Sequence, residues 1–360
     1  MARLEEVCEI LDSKRVPITA KDRVAGPYPY YGANGVQDHV ADYIFDDELV
    51  LLAEDGGHFG SIDKPIAYRV SGKCWVNNHA HVLKPKECID VDYLCYSLMF
   101  RDVSDIVNGA TRQKLTQADM RKIEIPLLSI EEQKAVVDKI GKAFELIALR
   151  KEQLAKLDQL VKSRFIELFG DKGYPEDSLL NLCNIIDYRG KTPEKVEYGL
   201  PFITAKNVRM HQMNLEPREY ISKETYDKVM VRGFPKEGDV LFTTEAPLGN
   251  VCRIPHFDTE FYIGQRIVTL QTEKLEPIYL EYALSSDDFK MKYMGKSSGS
   301  TVTGIRVRLL EQLTIPVPPI ELQEQFAAFV EQTDKSKLAI QQSHDKLELL
   351  KKSLMQEYFG

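Results

Sequence analysis

Apolar residues at Ile140, Phe144, Ile147, Leu154, Leu157, Val161, Phe165 and Leu168 recur mostly three or four apart, in a stretch without proline. That spacing predicts a long helix carrying a coiled-coil-like stripe. A second such stripe runs through Phe326, Val330, Ile340, Leu347, Leu354 and Tyr358, interrupted by Lys337, His344 and Lys351. Polar residues at seam positions cost stability but fix register and partner orientation. Ser129 followed by Glu132 is a capping-box pattern and marks where the first helix starts. About 38 residues at 1.5 Å each would make a rod of roughly 57 Å.

The two stripes are copies. Ile125-Pro-Leu-Leu-Ser-Ile-Glu-Glu-Gln133 through Gly170 aligns without a gap on Ile315-Pro-Val-Pro-Pro-Ile-Glu-Leu-Gln323 through Gly360, at an offset of 190 (315 − 125). Gln133/Gln323, Lys156/Lys346, Leu157/Leu347, Leu160/Leu350, Lys162/Lys352 and Ser163/Ser353 are identical pairs. The repeat reaches further. Leu4 to Asp12 matches Leu179 to Asp187 at an offset of 175, and Gly109-Ala-Thr111 matches Gly299-Ser-Thr301 at 190. The second globular unit is therefore about 15 residues longer (190 − 175). Glu48-Leu-Val-Leu-Leu-Ala-Glu54 resembles Asp239-Val-Leu-Phe-Thr-Thr-Glu245, each an apolar run that reads as a buried strand entering a turn. A fixed internal period sets the architecture. It predicts an α+β chain with an internal pseudo-twofold repeat: mixed α/β units at 1–128 and 173–318, separated by long helices at 129–172 and 319–360 that form an antiparallel coiled coil.

Composition adds bounds. At 360 residues, 43% of them hydrophobic and 28% charged, the chain can build two real cores. No apolar run is long enough to span a bilayer, and the charged start Met-Ala-Arg-Leu-Glu-Glu suggests no signal peptide, so a cytoplasmic protein is expected. The six cysteines show neither C-x-x-C nor zinc spacing and read as reduced, buried thiols. A net charge of −8 argues against non-specific coating of nucleic acid, but it is compatible with a reader whose contacts are confined to one face.

The loops carry the candidate chemistry. In the first unit Tyr28-Pro-Tyr-Tyr-Gly-Ala-Asn-Gly35 is a turn offering Tyr30, Tyr31 and Asn34. Glu54-Asp-Gly-Gly-His-Phe-Gly60, with His58, lacks the spacing of a phosphate-binding P-loop. Asn77-Asn-His-Ala-His81 offers Asn78, His79 and His81 for base or phosphate contact, and metal ligation is not expected because no acidic or thiol partner has suitable local spacing. Asn108 to Leu115 adds Thr111, Arg112, Gln113 and Lys114. In the second unit Tyr188-Arg-Gly-Lys-Thr-Pro193 offers Arg189, Lys191 and Thr192, and Ile203 to Arg209 offers Lys206, Asn207 and Arg209. Gly264-Gln-Arg266 supplies Gln265 and Arg266 at about the place the Asn-His cluster holds in the first unit. Lys296 to Arg306 supplies Lys296, Ser298, Thr301 and Arg306. Any one of these cations alone reads as solvated surface. Their recurrence in loops at matching scaffold positions points to DNA binding.

No catalytic group stands out. D-P-P-Y, N-P-P-F, Walker A, G-x-G-x-x-G and H-E-x-x-H are all missing. Two like units with unlike loops, tied to paired rods, describe a two-headed reader of an asymmetric, bipartite DNA site. Roughly 57 Å of rod against about 34 Å per DNA turn puts the half-sites one to two turns apart.

The chain resembles the DNA-specificity (S) subunit of type I restriction–modification systems. The resemblance covers essentially the whole chain. It rests on Ile315 to Gln325 and its copy Ile125 to Gln133, which look like the family's junction between a target recognition domain and a spacer helix. Arg189-Gly-Lys-Thr-Pro193, Ala246-Pro-Leu-Gly249 and Gly299-Ser-Thr301 support it. The first copy departs at Leu128-Ser129, where Pro-Pro would be usual, and at Gly56-Gly-His-Phe-Gly60. The resemblance implies a chain with no catalysis, cofactor or metal of its own. Its helices would dock two methyltransferase (M) subunits, joined by restriction/translocase (R) subunits, with S-adenosylmethionine, ATP and magnesium on those partners. The competing readings are an enzyme (a specificity region detached from a fused restriction–methyltransferase, or an unrecognised nuclease) and a coiled-coil adaptor with two protein-binding heads.

Overall fold

The computed structural model describes residues 1–61, 63–109, 113–188, 193–299 and 303–360. The chain packs as two compact units, Met1–Gln153 with Ile340–Gly360, and Leu154–Ala339. Four helices bound the cores of these units: α1 (Val91–Met99), α2 (Ile130–Phe169), α3 (Pro277–Ser285) and α4 (Ile320–Phe359).

In the first unit, strands β1 (Cys8–Ile10), β2 (Ala25–Gly32), β3 (Gly35–Val40), β4 (Phe45–Ala53), β5 (Ala67–Val76) and β6 (Ala80–Pro85) form one sheet in the order β1-β6-β4-β5-β2-β3. All neighbours are antiparallel except β2 and β5, where Tyr30 pairs with Trp75. The apolar run at Leu49 to Ala53 is buried throughout, as its composition predicts for a central strand. Successive side chains point to opposite faces. Val50 and Leu52 therefore enter the core under α1, with Tyr93, Leu94 and Leu98, whereas Leu49 and Leu51 join Val70, Val76 and Val82 behind the sheet. Burying each such side chain contributes about 1.5–3 kcal/mol.

The second unit repeats this plan. Its strands β7 (Asn184–Asp187), β8 (Leu200–Ile203), β9 (Val240–Thr243), β10 (Val251–Arg253), β11 (Tyr262–Ile263) and β12 (Ile267–Gln271) include a four-stranded antiparallel sheet in the order β7-β12-β9-β10. Beside it β8 runs parallel to β11. Strand β9 divides as β4 does: Val240 and Phe242 face α3, and Leu241 faces the opposite cluster with Val208 and Ile263.

The capping box forms, with Ser129 N–H donating to Glu132 Oε2 at 3.0 Å. Within the first unit Lys139 Nζ donates to Tyr358 Oη at 3.1 Å and Arg150 Nε to Ser343 Oγ at 3.2 Å. Within the second, Asp158 meets Lys337 at 2.6 Å and the Phe165 and Phe326 rings pack 5.4 Å apart. Rising numbers on α2 meet falling numbers on α4, so in each unit the two helices run antiparallel. The polar seam residues have partners: Lys337 takes Asp158 and Asp334, and Lys351 Nζ lies 5.4 Å from the centre of the Phe144 ring. The stripe is not uniformly deep. Val136, Ile140, Ala143, Ile147, Val161 and Phe169 are buried, while Leu154 and Leu157 are half-buried and Leu160 is exposed. Burial is complete only where a globular core closes over the helix.

Five of the six cysteines are buried, and burial pushes the thiols of Cys8, Cys74, Cys95, Cys183 and Cys252 up to about 12. Among the described residues no helix is long and apolar enough to cross a membrane.

Candidate nucleic-acid interface

The end of each core strand is laced to two loops in the same way. In the first unit Glu54 N–H donates to His79 O at 2.9 Å, Leu115 N–H donates to Glu54 O at 2.7 Å, and Asn108 and Lys114 exchange backbone bonds of 2.9 and 2.7 Å. In the second, Thr244 N–H donates to Arg266 O at 2.9 Å, Ile305 N–H to Thr244 O at 2.9 Å, and Ser298 and Gly304 exchange bonds of 3.0 and 3.1 Å. Glu54/Thr244, Leu115/Ile305, Asn108/Ser298 and Lys114/Gly304 are each 190 apart (244 − 54, 305 − 115, 298 − 108, 304 − 114). His79 and Arg266 thus occupy one scaffold position, as the sequence pattern suggests. This register also corrects the alignment of the two apolar runs by one residue. Glu54 corresponds to Thr244 and Asp55 to Glu245, rather than Glu54 to Glu245.

Identical backbone frames carry different side chains. His79 Nδ1 lies 2.7 Å from Asp55 Oδ1, and Asn34 Nδ2 donates to Gly56 O at 3.0 Å, beside the Gly56 N–H bond to Gln113 O. Lys114 reaches Glu54 at 2.9 Å. The first unit therefore gathers Asn34, His79, Gln113 and Lys114 around residues 54–56. In the second unit Gln265, Ser298 and Arg306 line an open cavity of about 220 Å³ with Thr244 and Glu245, and Arg266 Nε lies 2.9 Å from Glu245 Oε1. Ala246, next in the chain, holds a φ of +47°, a left-handed conformation costly for alanine. Gly249 closes the turn with φ +89°, and a Cβ there would meet the Tyr293 hydroxyl at 2.2 Å. That accounts for the glycine of Ala246-Pro-Leu-Gly249.

Three expected contact residues are removed from any surface. Tyr30 is buried, its hydroxyl bonded to the Ile18 backbone and its ring 4.1 Å beneath the Arg23 guanidinium. Asn207 is buried and shapes its own turn, accepting from Thr204 N–H at 2.9 Å and donating to Asn214 O at 2.9 Å. His81 is fully buried. Its Nδ1 faces Asp12 at 2.6 Å and its Nε2 faces Leu115 O at 2.9 Å, both acceptors. Asp12 also accepts from Val82 N–H and Gln117 Nε2, each at 2.9 Å, and Arg15 bridges Glu54 at 2.5 Å. Burial alone would raise the Asp12 and Glu54 carboxyls; hydrogen bonds from His81, Val82 and Gln117 to the first, and from Arg15 and Lys114 to the second, hold both below their usual values. Asp12, Glu54 and His81 are the one potential metal-ligand set among the described residues, with ligand atoms within 4.8 Å. Arg15 and Lys114 already neutralise its carboxylates, so the donor set reads as a buried ion network. Its second-unit counterparts at the central strand pair are Thr244 and Val268, so the network belongs to the first unit alone.

Of the remaining candidates, Asn78, Lys206, Arg209 and Lys296 are exposed and Tyr31 and His58 half-buried, with Tyr31 tilted against Tyr68. Lys206 lies on the turn that Asn207 shapes, and Arg209 lies in the short strand that follows it, paired with Gln212. Thr111, Arg112, Arg189, Lys191, Thr192 and Thr301 lie outside the described residues. Asp55 and Glu245 were not singled out by sequence. Their signal is the acid that recurs at the 190 offset once the strands are in register.

Residues 1–159 and 177–351 match the family model for the type I restriction modification DNA specificity domain. The chain belongs to that family. It is 29% identical over 377 residues, covering 98% of this chain and 94% of the relative, to the Haemophilus influenzae protein S.HindORF215P, assigned as a type I restriction enzyme specificity subunit. It is 23% identical over 398 residues to the MjaVIII specificity subunit of Methanocaldococcus jannaschii, covering 99% and 90% of the two chains. Its fold is similar to that of the S subunit of a type I system from M. genitalium (TM-score 0.63, 14% identity, covering 100% and 95%). A chain solved in a study of type I complex assembly and conformational transition is similar as well (TM-score 0.57, 20% identity, covering 99% and 96%). As a specificity subunit, the chain recognises DNA sequence and is not the catalytic component of its restriction–modification system.

Proposed function

We propose that this specificity subunit reads a bipartite, asymmetric DNA site, one half-site per unit, and docks two methyltransferase subunits on α2 and α4. The observation that carries the reading is one backbone frame bearing Asp55, His79 and Lys114 in the first unit and Glu245, Arg266 and Gly304 in the second. A shared frame with unlike side chains is what two different half-sites require, because base edges are told apart by donor and acceptor pattern. The long helices set the unread gap. They also leave Leu146, Leu149, Leu160 and Ile166 on α2, and Leu338, Leu349 and Leu350 on α4, exposed. Two equivalent docking surfaces suit two copies of one partner. Restriction/translocase subunits complete the complex, S-adenosylmethionine, ATP and magnesium bind the partners, and the assembly works in the cytoplasm. The test is selection of bound duplexes from a random pool by the complete complex. Enrichment of two short unlike motifs at a constant spacing supports the reading; one continuous motif overturns it.

A further inference from the structure

The Glu245–Arg266 pair makes little sense as a stabilising contact. Both side chains are about half exposed, at 43% and 53%, and exposed ion pairs contribute about 0–1 kcal/mol. A carboxylate is also a poor choice on a face that meets phosphates, since it repels them unless it is paired. It does have a geometric consequence. The Arg266 backbone is fixed by its bond from Thr244 N–H, and the Glu245 carboxylate fixes the near edge of the guanidinium through Nε. Both ends of a long, flexible side chain are thereby held beside Glu245, which itself lines the cavity shared by Gln265, Ser298 and Arg306. An aimed guanidinium fork matches the O6 and N7 acceptors of guanine, a pairing an ammonium cannot reproduce in plane. The corresponding pair in the first unit, Asp55 and His79, keeps an acid and changes the group it holds.

We propose that Glu245 is a positioning residue for specificity: it aims Arg266 at the major-groove edge of one guanine in the half-site read by the second unit. The proposal rests on the bipartite reading above. It is tested with the complete complex, chain plus methyltransferase subunits, by methylating a duplex library randomised in both half-sites and sequencing the modified products. Wild type should select guanine at one position of one half-site. Arg266→Ala and Glu245→Gln should each lower that preference on the order of tenfold or more, leaving the other half-site and the spacing unchanged, while Glu245→Asp retains it. The proposal is overturned if Glu245→Gln discriminates as wild type does, if Arg266→Ala keeps the guanine, or if both half-sites weaken together, as a structural role would produce. A wild-type library without two separate half-sites would instead sink the bipartite reading itself.

Discussion

Gln133 and Gln323 are the same clamp in two places. Gln133 Oε1 accepts from Asp90 N–H at 2.8 Å and its Nε2 donates to Leu128 O at 2.9 Å; Gln323 Oε1 accepts from Glu276 N–H at 3.0 Å and its Nε2 donates to Pro318 O at 2.8 Å. Both are buried. Each ties the start of a long helix to the residue that caps a short helix of the adjacent core, Asp90 for α1 and Glu276 for α3. Leucine at position 323 would leave the Pro318 carbonyl, buried at that contact, and the half-buried Glu276 N–H unpaired, at about 1–3 kcal/mol in all. Urea denaturation of Gln323→Leu should show that loss with little change in helix content.

Phe326 sits at the centre of an aromatic cluster, 5.4 Å from Phe165, 5.6 Å from Phe169 and 5.2 Å from Tyr282. It joins both long helices to the second core. Phe326→Ala should cost about 3–5 kcal/mol, read as a lower denaturation midpoint of the full chain.

The Asp12–His81–Glu54 network gives the first unit a buried contribution to stability that depends on acid pH. Asp12 and Glu54 titrate below their ordinary values of 3.8 and 4.5, so their contribution is fully present above those values and is lost as pH falls through the depressed folded ones. Thermal melts of wild type should therefore hold this contribution at pH 5 and lose it below about pH 4. Asp12→Asn should lower stability near neutrality by about 3 kcal/mol, by removing the buried carboxylate that faces His81 and accepts from Val82 and Gln117, and should flatten the acid limb.

The sequence made the scaffold legible and left the site half-read. A gap-free repeat with helical periodicity identifies both long helices, and the runs at Leu49 and Val240 read as central strands because few arrangements bury five or four successive residues. Side-chain direction was not available. Tyr30, His81 and Asn207 have the chemistry of contact residues, yet strand alternation and local turns point them inward. The acids at Asp55 and Glu245 were hidden by a one-residue slip, which in a strand exchanges every face.

Leu349, exposed on α4, is a candidate docking residue. Leu349→Glu should leave helix content unchanged and weaken co-purification of the methyltransferase subunit tenfold or more.

The most direct measurement is the methylome of a host with and without this gene. The gene should add one modified motif made of two short, unlike half-sites at a fixed spacing. A single uninterrupted motif, or two identical half-sites, would contradict the bipartite reading.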